Sequence, residues 1–455
     1  MITIEPGRIF AGDGPRYLAI ADAIADEIES GRMAPETRLP PQRDLAYRLG
    51  VTVGTVTRAY GVLAHRRLVG GHVGRGTFVR PRQPTRVPPT DGFIDLSRNA
   101  PPVPPPADLA SETFRALAED AMPARLFDYA PTAGGPAPRR AMAAWTRQVG
   151  IDPAPEQLTV FGGAQQALAA AFIAFGADGA LVEATTYPGL LNIAQAMRLP
   201  LAGIALDDEG AVPASIERAA RESGARLVVL VPTLQNPLNT VMGEARRREI
   251  AALTRRLGLV LVEDDVYGFL IEDRPPPIAS FAPERTIYIT GASKCLAPGL
   301  RVAWTVAPDA FRPRLEAALY AMSVCRPPLT AEIVRAWIES GAAAELLAAQ
   351  RRETALRQEL AAELLADQPL ARHPAAFHVF QYLQEAWTPE AFVAAARERG
   401  IGVVPAAAFA ADATAVPRAV RVSLSQAPDR ETLARALRGI RDLAVDAPGR
   451  VQGII

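Results

Sequence analysis

The chain has 455 residues and a mass of 48.5 kDa, which is room for about two to four domains. Hydrophobic residues make up 49% of it and charged residues 22%, so it can bury large cores, and wholesale disorder is excluded. Lys plus Arg and Asp plus Glu both number 49. This balance excludes a uniformly basic surface for nucleic acid, although it permits a local basic patch.

The expected compartment follows from the cysteines and from the lack of targeting signals. Only Cys295 and Cys325 are present, which argues against a disulfide scaffold and fits a reducing compartment. The first residues lack the basic-then-apolar pattern of a signal peptide, and no run of about 18 apolar residues could span a membrane. We therefore expect a soluble cytoplasmic protein.

Composition divides the chain into three predicted parts. Residues 1–80 are compact and arginine-rich, with 13 Arg against eight Asp and Glu up to Arg86. Residues 81–106 contain nine prolines and are predicted to form an extended linker, because proline cannot continue a helix or pair in a central strand. Residues 107–455 alternate helical patterns with short apolar runs and form the predicted large domain.

The pattern of the first part predicts a winged helix-turn-helix. A helical apolar stripe begins at Leu18, and a shorter helix is expected between Pro41 and Gly50. After a tight turn, Thr52 is a suitable N-cap for a second helix, and the following LVGGHVGRGTFV is typical of a hairpin with a basic tip. In such a module the second helix enters the major groove and the wing reaches the DNA backbone or minor groove.

Over about residues 15–80, this part resembles the DNA-binding domain of the GntR-type bacterial regulators. The resemblance implies contact with double-stranded DNA through Arg43, Thr52, Thr55, Arg58, Arg75 and Gly76. One departure is that Val53 and Gly54 stand where the family usually has a polar or basic pair. The departure removes a phosphate or base contact, so the half-site sequence and the affinity for DNA are expected to differ from the usual pattern of the family.

The large domain has the pattern of a parallel sheet that is covered by helices on both faces. Its continuously apolar runs are expected to be buried strands, and helix-like segments such as 243–257 separate them. The expected strands are 227–232, 259–265, 286–291 and 302–308.

The 49 basic residues are 48 Arg and a single Lys, Lys294. Arginine keeps its proton in proteins and is a poor nucleophile, so the position indicates a need for a primary amine; the alternative is drift that left one lysine by chance. Lys294 follows a predicted strand, between Ser293 and Arg301, at the edge where open α/β sheets bind ligands. An amine flanked by a hydroxyl and a guanidinium suits a phosphorylated aldehyde, and pyridoxal phosphate is the cofactor that needs this set.

Other candidate cofactor residues also lie at the ends of predicted strands. We expect Asp264 to pair with the ring nitrogen, and Tyr267 and Asn236 to hydrogen-bond the ring 3-oxygen. Residues 161–168, FGGAQQAL, form a glycine-rich turn that opens a helix and offers backbone N–H groups to a phosphate. Tyr187 is a candidate for stacking on the ring. Each of these residues alone could instead have a structural role, such as capping a helix or packing. The prediction of a cofactor site rests on their occurring together.

Residues from about 93 to 445 resemble the fold-type-I, class I and II aminotransferases through the motifs GAQQAL, TTYPG, QNP, EDDVY, SKxLAPGLR and a late RVSLS. The resemblance implies an α/β fold of the PLP-dependent transferases, with a mostly parallel central sheet and a small C-terminal α+β subdomain, and Lys294 as the Schiff-base lysine. It implies cofactor contacts by Ala164, Gln165, Tyr187, Asn236, Asp264, Tyr267, Ser293 and Arg301, and by Tyr129 at the neighbouring subunit's phosphate. Ala164 and Gly291 stand where relatives often have a hydroxyl, so modest cofactor affinity is expected.

By the same resemblance, Arg421 in the run AVRVSLS takes the position of the arginine that binds a substrate or effector carboxylate. Arg418 is the open alternative, because either arginine could be a surface residue. His373 and His378 have no carboxylate or cysteine at metal-like spacing, so we expect them to be structural and predict no metal site.

A winged helix, a proline-rich linker and an aminotransferase-like domain together resemble the MocR-type branch of the GntR family. This implies a transcriptional regulator that binds pyridoxal phosphate and senses an amine or amino acid, which replaces Lys294 in an external aldimine. It also implies a head-to-tail homodimer on an operator with two half-sites. The alternative is a working aminotransferase that carries a DNA-binding module.

Overall fold

The structure is a computed structural model that describes residues 15–29, 33, 37–65, 68–72, 76–79, 92–119, 126–323, 328–411 and 416–445. Its internal contacts divide the chain into two compact units, Met1–Thr90 and Asp91–Ile455. No helix in the described part is long and apolar enough to cross a membrane.

The described residues of the first unit form three helices followed by two paired strands. These elements are α1 Arg16–Glu29, α2 Gln42–Leu49, α3 Val53–His65, β1 Val69–His72 and β2 Gly76–Val79. The two strands pair antiparallel. Residues 37–39 run along the outer side of β2, since Leu39 N donates to Thr77 O and Val79 N donates to Thr37 O. The predicted winged helix-turn-helix fold is therefore confirmed.

Local sequence explains where these helices begin and end. Pro41 precedes α2, and Gly50 ends it in the left-handed region at φ 63°. The hydroxyl of Thr52 accepts a hydrogen bond from Thr55 N at 3.2 Å and so caps the start of α3. The core of the unit is formed by fully buried side chains from all three helices, including Ile20, Ile24, Leu45, Val56 and Leu63.

The second unit is built around a central sheet with helices on both sides. Its helices are α4 Ala107–Glu119, α5 Pro136–Thr146, α6 Ala164–Phe175, α7 Pro188–Met197, α8 Pro213–Ser223, α9 Glu244–Leu257, α10 Ile278–Phe281, α11 Ala292–Cys295, α12 Arg312–Met322, α13 Pro328–Ser340, α14 Ala342–Leu364, α15 Pro389–Glu398 and α16 Arg430–Val445. Its strands are β3 Ile94–Asp95, β4 Leu158–Phe161, β5 Ala180–Glu183, β6 Leu201–Ile204, β7 Leu206–Asp207, β8 Gly210–Ala211, β9 Leu227–Leu230, β10 Val260–Asp264, β11 Thr286–Gly291, β12 Ala303–Val306, β13 Leu370–Ala371, β14 His378–Tyr382, β15 Ile401–Gly402, β16 Val404–Pro405 and β17 Ala419–Ser423.

Among the described residues, seven strands form the central sheet in the order β4-β12-β11-β10-β9-β5-β6. The pairs from β11 to β6 are parallel, whereas β12 runs antiparallel to both of its neighbours. The four strands predicted from apolar runs are confirmed as β9 to β12, and the helical segment 243–257 as α9. Nearly all residues of these strands are buried, as expected for a sheet covered on both faces.

A second, smaller sheet has the order β13-β14-β17-β16 and is antiparallel. Helices α15 and α16 contribute buried apolar side chains such as Phe392 and Leu437, which join Val422 of the sheet in one core. This is the small C-terminal α+β subdomain that the sequence predicted. Its strand β17 carries Arg421.

The C-terminal part of the predicted linker belongs to the large unit. Its described portion, residues 92–106, belongs to the second unit, because β3 pairs parallel with β15 and Leu96 is fully buried in the core of the small subdomain. The predicted linker 81–106 is thus too long at its C-terminal side. Proline excludes helices and central strands, but an extended segment can still pack against a domain.

Candidate functional site

One cavity lies at the C-terminal ends of the central strands, where open α/β sheets bind ligands. Nine of the residues predicted to bind a cofactor line it together: Ala164, Gln165, Tyr187, Asn236, Asp264, Tyr267, Ser293, Lys294 and Arg301. They come from the ends of five strands and from the helices that follow, so the parallel topology brings distant motifs to one edge of the sheet.

One end of the cavity is suited to an anion. Arg301 adopts the left-handed region at φ 50°, and its Nη2 donates to Gly162 O at 3.2 Å. Gly163 has φ 111°, a backbone conformation that favours glycine, and without a side chain it leaves room for the Arg301 guanidinium beside it. The hydroxyl of Ser293 is buried without a partner. The first turn of α6 adds backbone N–H groups that have no intrahelical acceptor.

The missing hydroxyl at Gly291 has a structural reason. A Cβ at this position would lie 2.7 Å from Val302 O and 2.8 Å from the Cα of Ala303. Both belong to the segment that pairs with the end of β11, since Gly291 opposes Ala303 in the ladder. The close pairing of β11 with β12 therefore excludes any side chain here, hydroxyl or other.

Asp264 provides a buried carboxylate at the end of β10. Strand alternation turns Glu263 and Asp265 away from it; Glu263 accepts hydrogen bonds from the N-terminus of α10, and Asp265 accepts one from Tyr288. Burial raises the pKa of Asp264 to about 7, and its Oδ1 has no hydrogen-bond partner. A cationic N–H group in the cavity would satisfy this oxygen, which fits the nitrogen of a protonated pyridine ring.

Tyr187 lies at the start of α7 and lines the same cavity. A Cβ at Gly189 would overlap its ring, so the glycine of the TTYPG motif allows the ring to fold back over the helix start. Burial raises the pKa of the Tyr187 phenol, which therefore stays neutral. An aromatic face in this position is suited to stacking against a ring.

Lys294 lies in α11 with its Nζ directed back toward the start of the unit. The Nζ donates to Asn99 O at 2.6 Å and lies 5.8 Å from the centre of the Tyr267 ring. Burial lowers the pKa of Lys294 to about 8, and the positive charges of Arg421 and Arg301 contribute. A much larger fraction of this amine is neutral near pH 7 than in an ordinary lysine, so it is a competent nucleophile.

The structure distinguishes the two late arginines. Arg421 is buried, with Nη1 donating to Asn236 Oδ1 at 3.1 Å and Nη2 donating to Ser97 O at 2.6 Å. Its Nε is buried and has no partner, and its guanidinium carbon lies 4.8 Å from the centre of the Phe409 ring. Arg418 is exposed and donates to a main-chain carbonyl. Arg421 therefore lies beside the cavity, bonded to its lining residue Asn236 and with an Nε that has no partner, whereas Arg418 does not.

Sequence reasoning missed Asn99 and gave His378 a purely structural role. Asn99 Nδ2 lies 2.7 Å from His378 Nδ1 and 3.4 Å from the hydroxyl of Tyr267. Asn99 fell within the predicted linker, so its position there concealed it. The sequence around His378 shows only that it lacks a metal-like spacing, and no local motif shows that it contacts a residue 279 positions away.

Tyr129 lies apart from the cavity. Its side chain is 81% exposed and that of the nearby Phe127 is 91% exposed. It borders a different surface hollow, together with Pro136 and Pro328. Within one chain the structure therefore does not bring Tyr129 to the other cofactor residues, and its predicted contact concerns a neighbouring subunit.

Four of the six predicted DNA contacts lie on α2, on α3 or at the start of α3. Arg43 on α2 and Arg58 on α3 are exposed, as is Thr52 at the start of α3. Thr55 is half-buried, and its hydroxyl lies 2.9 Å from that of Thr52. The polar atoms at the start of α3 are therefore available near the surface that a recognition helix presents.

In the wing, Gly76 at the start of β2 has φ 113°, so this position favours glycine, and a Cβ there would lie 2.9 Å from Arg38 Nε. Arg75 lies outside the described residues. Val53 and Gly54 are exposed at the start of α3, so the apolar pair noted in the sequence does face outward.

Comparison with known proteins agrees with this geometry. Residues 91–440 match the model of aminotransferase class I and II, and residues 16–79 match that of the bacterial regulatory proteins of the gntR family. The chain is 27% identical over 445 residues to YdeF, an uncharacterized HTH-type transcriptional regulator of Bacillus subtilis (strain 168), covering 95% of each chain. It is 26% identical over 365 residues to PdxR, the HTH-type pyridoxine biosynthesis transcriptional regulator of Corynebacterium glutamicum, covering 77% of this chain and 79% of PdxR.

Among solved structures, the chain resembles LysN, the alpha-aminoadipate aminotransferase of Thermus thermophilus, which was solved with N-(5'-phosphopyridoxyl)-L-leucine. The TM-score is 0.70 at 26% identity, covering 78% of this chain and 92% of LysN. The unpartnered Oδ1 of Asp264, the Ser293 hydroxyl and the arginine-lined glycine turn fit pyridoxal phosphate, which this fold indicates as the cofactor. The chain thus belongs to the class I and II aminotransferase family and carries at its N-terminal side a DNA-binding module of the GntR family.

Proposed function

We propose that the protein is a pyridoxal-phosphate-dependent transcriptional regulator that binds an operator through residues 16–79 and responds to an amine or amino acid in the large unit. The observation that carries this proposal is the set of cofactor residues around the only lysine of a chain that also has a GntR module. Regulators named as such among the relatives, PdxR included, support it.

The residues of the cavity divide into three tasks. Ser293, Arg301 and the first turn of α6 hold the phosphate, and Asp264 keeps the ring nitrogen protonated. Lys294 attaches the cofactor through its amine. The bound cofactor supplies a reactive carbonyl carbon and an electron-withdrawing ring. The chain itself supplies orientation, charge and a nucleophile whose pKa of about 8 suits neutral solution.

Effector recognition falls to Arg421. Its unpartnered Nε and its charge suit a carboxylate, and a charge-assisted hydrogen bond in a buried place is stronger than one in water. Arg421 and Lys294 also hold the carbonyls of Ser97 and Asn99, which directly follow the stretch that leads to the first unit. A carboxylate that engages Arg421 competes with its hydrogen bond to Ser97 O, and attachment of the cofactor at Lys294 competes with the hydrogen bond to Asn99 O. This segment is therefore where binding in the cavity reaches the chain toward the DNA module.

The active form is proposed to be a head-to-tail homodimer on two half-sites. Class I and II aminotransferases are typically dimers, which supports this arrangement. In it, the exposed Tyr129 of one subunit contacts the phosphate bound to the other. The operator half-sites then follow the spacing of the two DNA-binding modules.

A second candidate is a working aminotransferase with a DNA-binding module, and it is favoured by the lowered pKa of Lys294, which gives the amine a larger neutral, nucleophilic fraction. The two are distinguished by adding a panel of amines and amino acids to the cofactor-loaded protein. A regulator changes its visible absorption with a ligand and releases no keto acid over many equivalents. Sustained keto-acid release with a second keto acid as acceptor supports the enzyme instead.

A further inference from the structure

Four groups joined by hydrogen bonds run from the loop after β9 to the wall of the cavity. His378 Nε2 lies 2.9 Å from Pro237 O, and His378 Nδ1 lies 2.7 Å from Asn99 Nδ2. The same Nδ2 lies 3.4 Å from the hydroxyl of Tyr267, which lines the cavity. Neither His378 nor the side chain of Asn99 has a task in the proposed function, which uses only the main-chain carbonyl of Asn99.

The position of each hydrogen in this series of hydrogen bonds follows from the carbonyl oxygen of Pro237 at one end. Pro237 O can only accept, so His378 Nε2 must carry the hydrogen between them. The ring is neutral, because burial and the positive charges of Arg421 and Lys294 lower the pKa of His378 to about 3. A neutral imidazole with its hydrogen on Nε2 accepts at Nδ1, so Asn99 must donate there.

The orientation of the Asn99 amide then follows. The reverse orientation would set its carbonyl oxygen against the lone pair of His378 Nδ1, so the amide nitrogen faces the imidazole. This orientation leaves Asn99 Oδ1 buried without a partner. A buried polar atom without a partner destabilises the fold. The two hydrogen bonds donated by Asn99 Nδ2 are therefore kept although Asn99 Oδ1 has none.

The second N–H of the amide reaches Tyr267. The phenol oxygen accepts this hydrogen bond, so its own hydrogen points to another partner. The Tyr267 ring is held edge-on against Phe377 at 5.9 Å, and burial raises the pKa of the phenol, so the group stays a donor. The remaining direction for its O–H is into the cavity that it lines.

We propose that Asn99 and His378 are positioning residues that hold the Tyr267 hydroxyl as a hydrogen-bond donor toward the 3-oxygen of the cofactor. The inference rests on the cofactor site of the proposed function and is independent of DNA binding and of the effector. A donor held in place stabilises the oxygen anion of the ring and lowers the pH at which the bound chromophore loses its proton. A phenol that is free to turn stabilises this oxygen anion less, so the pH at which the chromophore loses its proton is higher.

The test is a pH titration of the visible absorption band of the full-length, cofactor-loaded protein. In Asn99→Ala and His378→Phe, the midpoint should rise by about 0.5–1 pH unit, which is a three- to tenfold change in proton affinity. Matched controls are Arg98→Ala, an exposed neighbour of Asn99, and His373→Phe, a half-buried histidine of the same HPAAFH run. Both controls should titrate as wild type.

A double-mutant cycle separates positioning from general disturbance. In a Tyr267→Phe background, Asn99→Ala should cause no further shift, because the group through which it acts is gone. An equal shift with and without the phenol, or no shift in either single variant, overturns the proposal. Asn99 lies outside the helices and strands, whereas His378 lies on β14, so the two substitutions disturb different parts of the fold. Thermal unfolding of each variant identifies one that fails to fold, and the titration of the other variant then decides. A wild type without a visible band contradicts the cofactor site itself, which is a different result.

Discussion

At the scale of single residues, the identity of the reactive group could be predicted from the sequence but its chemistry could not. A lone lysine among 48 arginines after a strand indicates an amine with a task. Its lowered pKa depends on burial and on Arg421 and Arg301, which are 127 and seven positions away in the sequence. Asn99, which accepts the lysine's hydrogen bond, lies farther still and belongs to no recognised motif.

The lowered pKa predicts the pH dependence of cofactor attachment. Because only the neutral amine attacks an aldehyde, the rate of attachment should rise with pH and level off above about 8, rather than continue to the usual lysine value of 10.5. The measurement is the growth of the visible band after mixing apo-protein with pyridoxal phosphate between pH 6 and about 10.

Lys294→Ala is the control for that experiment, because the α-amino group of the chain remains in it and has an ordinary pKa of about 8. The variant should form no stable visible band, and reduction with borohydride should label position 294 in the wild type only. A rate that climbs without levelling up to about pH 10, after subtraction of the control, would contradict the lowered pKa of Lys294.

At the scale of elements, strand alternation explains which acid of the EDD run serves the cavity. Only Asp264 can face it, because its two neighbours point to the other side of β10. The EDDVY motif of the sequence predicted that Asp264 serves the cavity. That Gly291 cannot carry a side chain is shown only by the pairing of β11 with β12. The antiparallel pairing of β12 within a mostly parallel sheet depends on contacts between distant segments, and no local sequence pattern predicts it.

Gly291→Ser should therefore destabilise the protein instead of improving cofactor affinity. The added Cβ forces β11 and β12 apart, and overpacking of this kind typically costs about 1–3 kcal/mol. Gly299→Ser is a matched control, because nothing lies within 4 Å of a Cβ there. Chemical unfolding of both apo-variants checks the expectation, and equal free energies of unfolding would mean that the strands yield easily at this point.

The helices of the first unit give a second prediction at this scale. Arg43 and Arg58 are exposed on α2 and α3, and replacing either with alanine should weaken DNA binding by about 1–3 kcal/mol. The loss should shrink at high salt, since each arginine releases counterions from the phosphates. Arg352→Ala, an exposed arginine on α14, controls for net charge. Unchanged affinity in both first-unit variants, measured on a fragment selected with the protein itself, would contradict the assigned DNA surface.

At the scale of the whole molecule, the cavity of one chain contains every predicted cofactor residue except Tyr129. The sequence resemblance assigns this residue to the other subunit, and a hybrid dimer tests the assignment. In a dimer of one Lys294→Ala subunit and one Tyr129→Phe subunit, one site carries both changes and the other carries none.

The hybrid should bind one cofactor per dimer with wild-type affinity. The Tyr129→Phe homodimer should bind roughly five- to tenfold more weakly at both sites, because each loses about one hydrogen bond. The measurement is cofactor titration of hybrids purified with two different tags. If Tyr129 acts within its own subunit, the lysine-bearing site of the hybrid shows the weak affinity of the homodimer, and the cross-subunit contact is wrong.

The central claim, that amine binding at Lys294 and Arg421 controls DNA binding, is tested most directly by one titration. DNA affinity of the cofactor-loaded protein is measured on the selected fragment while an amine or amino acid that changes the visible band is added. We expect the affinity to change by about 5–150-fold in wild type. For an effector with a carboxylate, Arg421→Ala should raise the effective concentration by roughly 10–150-fold, and Arg418→Ala should leave it unchanged. A DNA affinity that stays constant while the same ligand occupies the site and is turned over would contradict the claim and identify the protein as an aminotransferase.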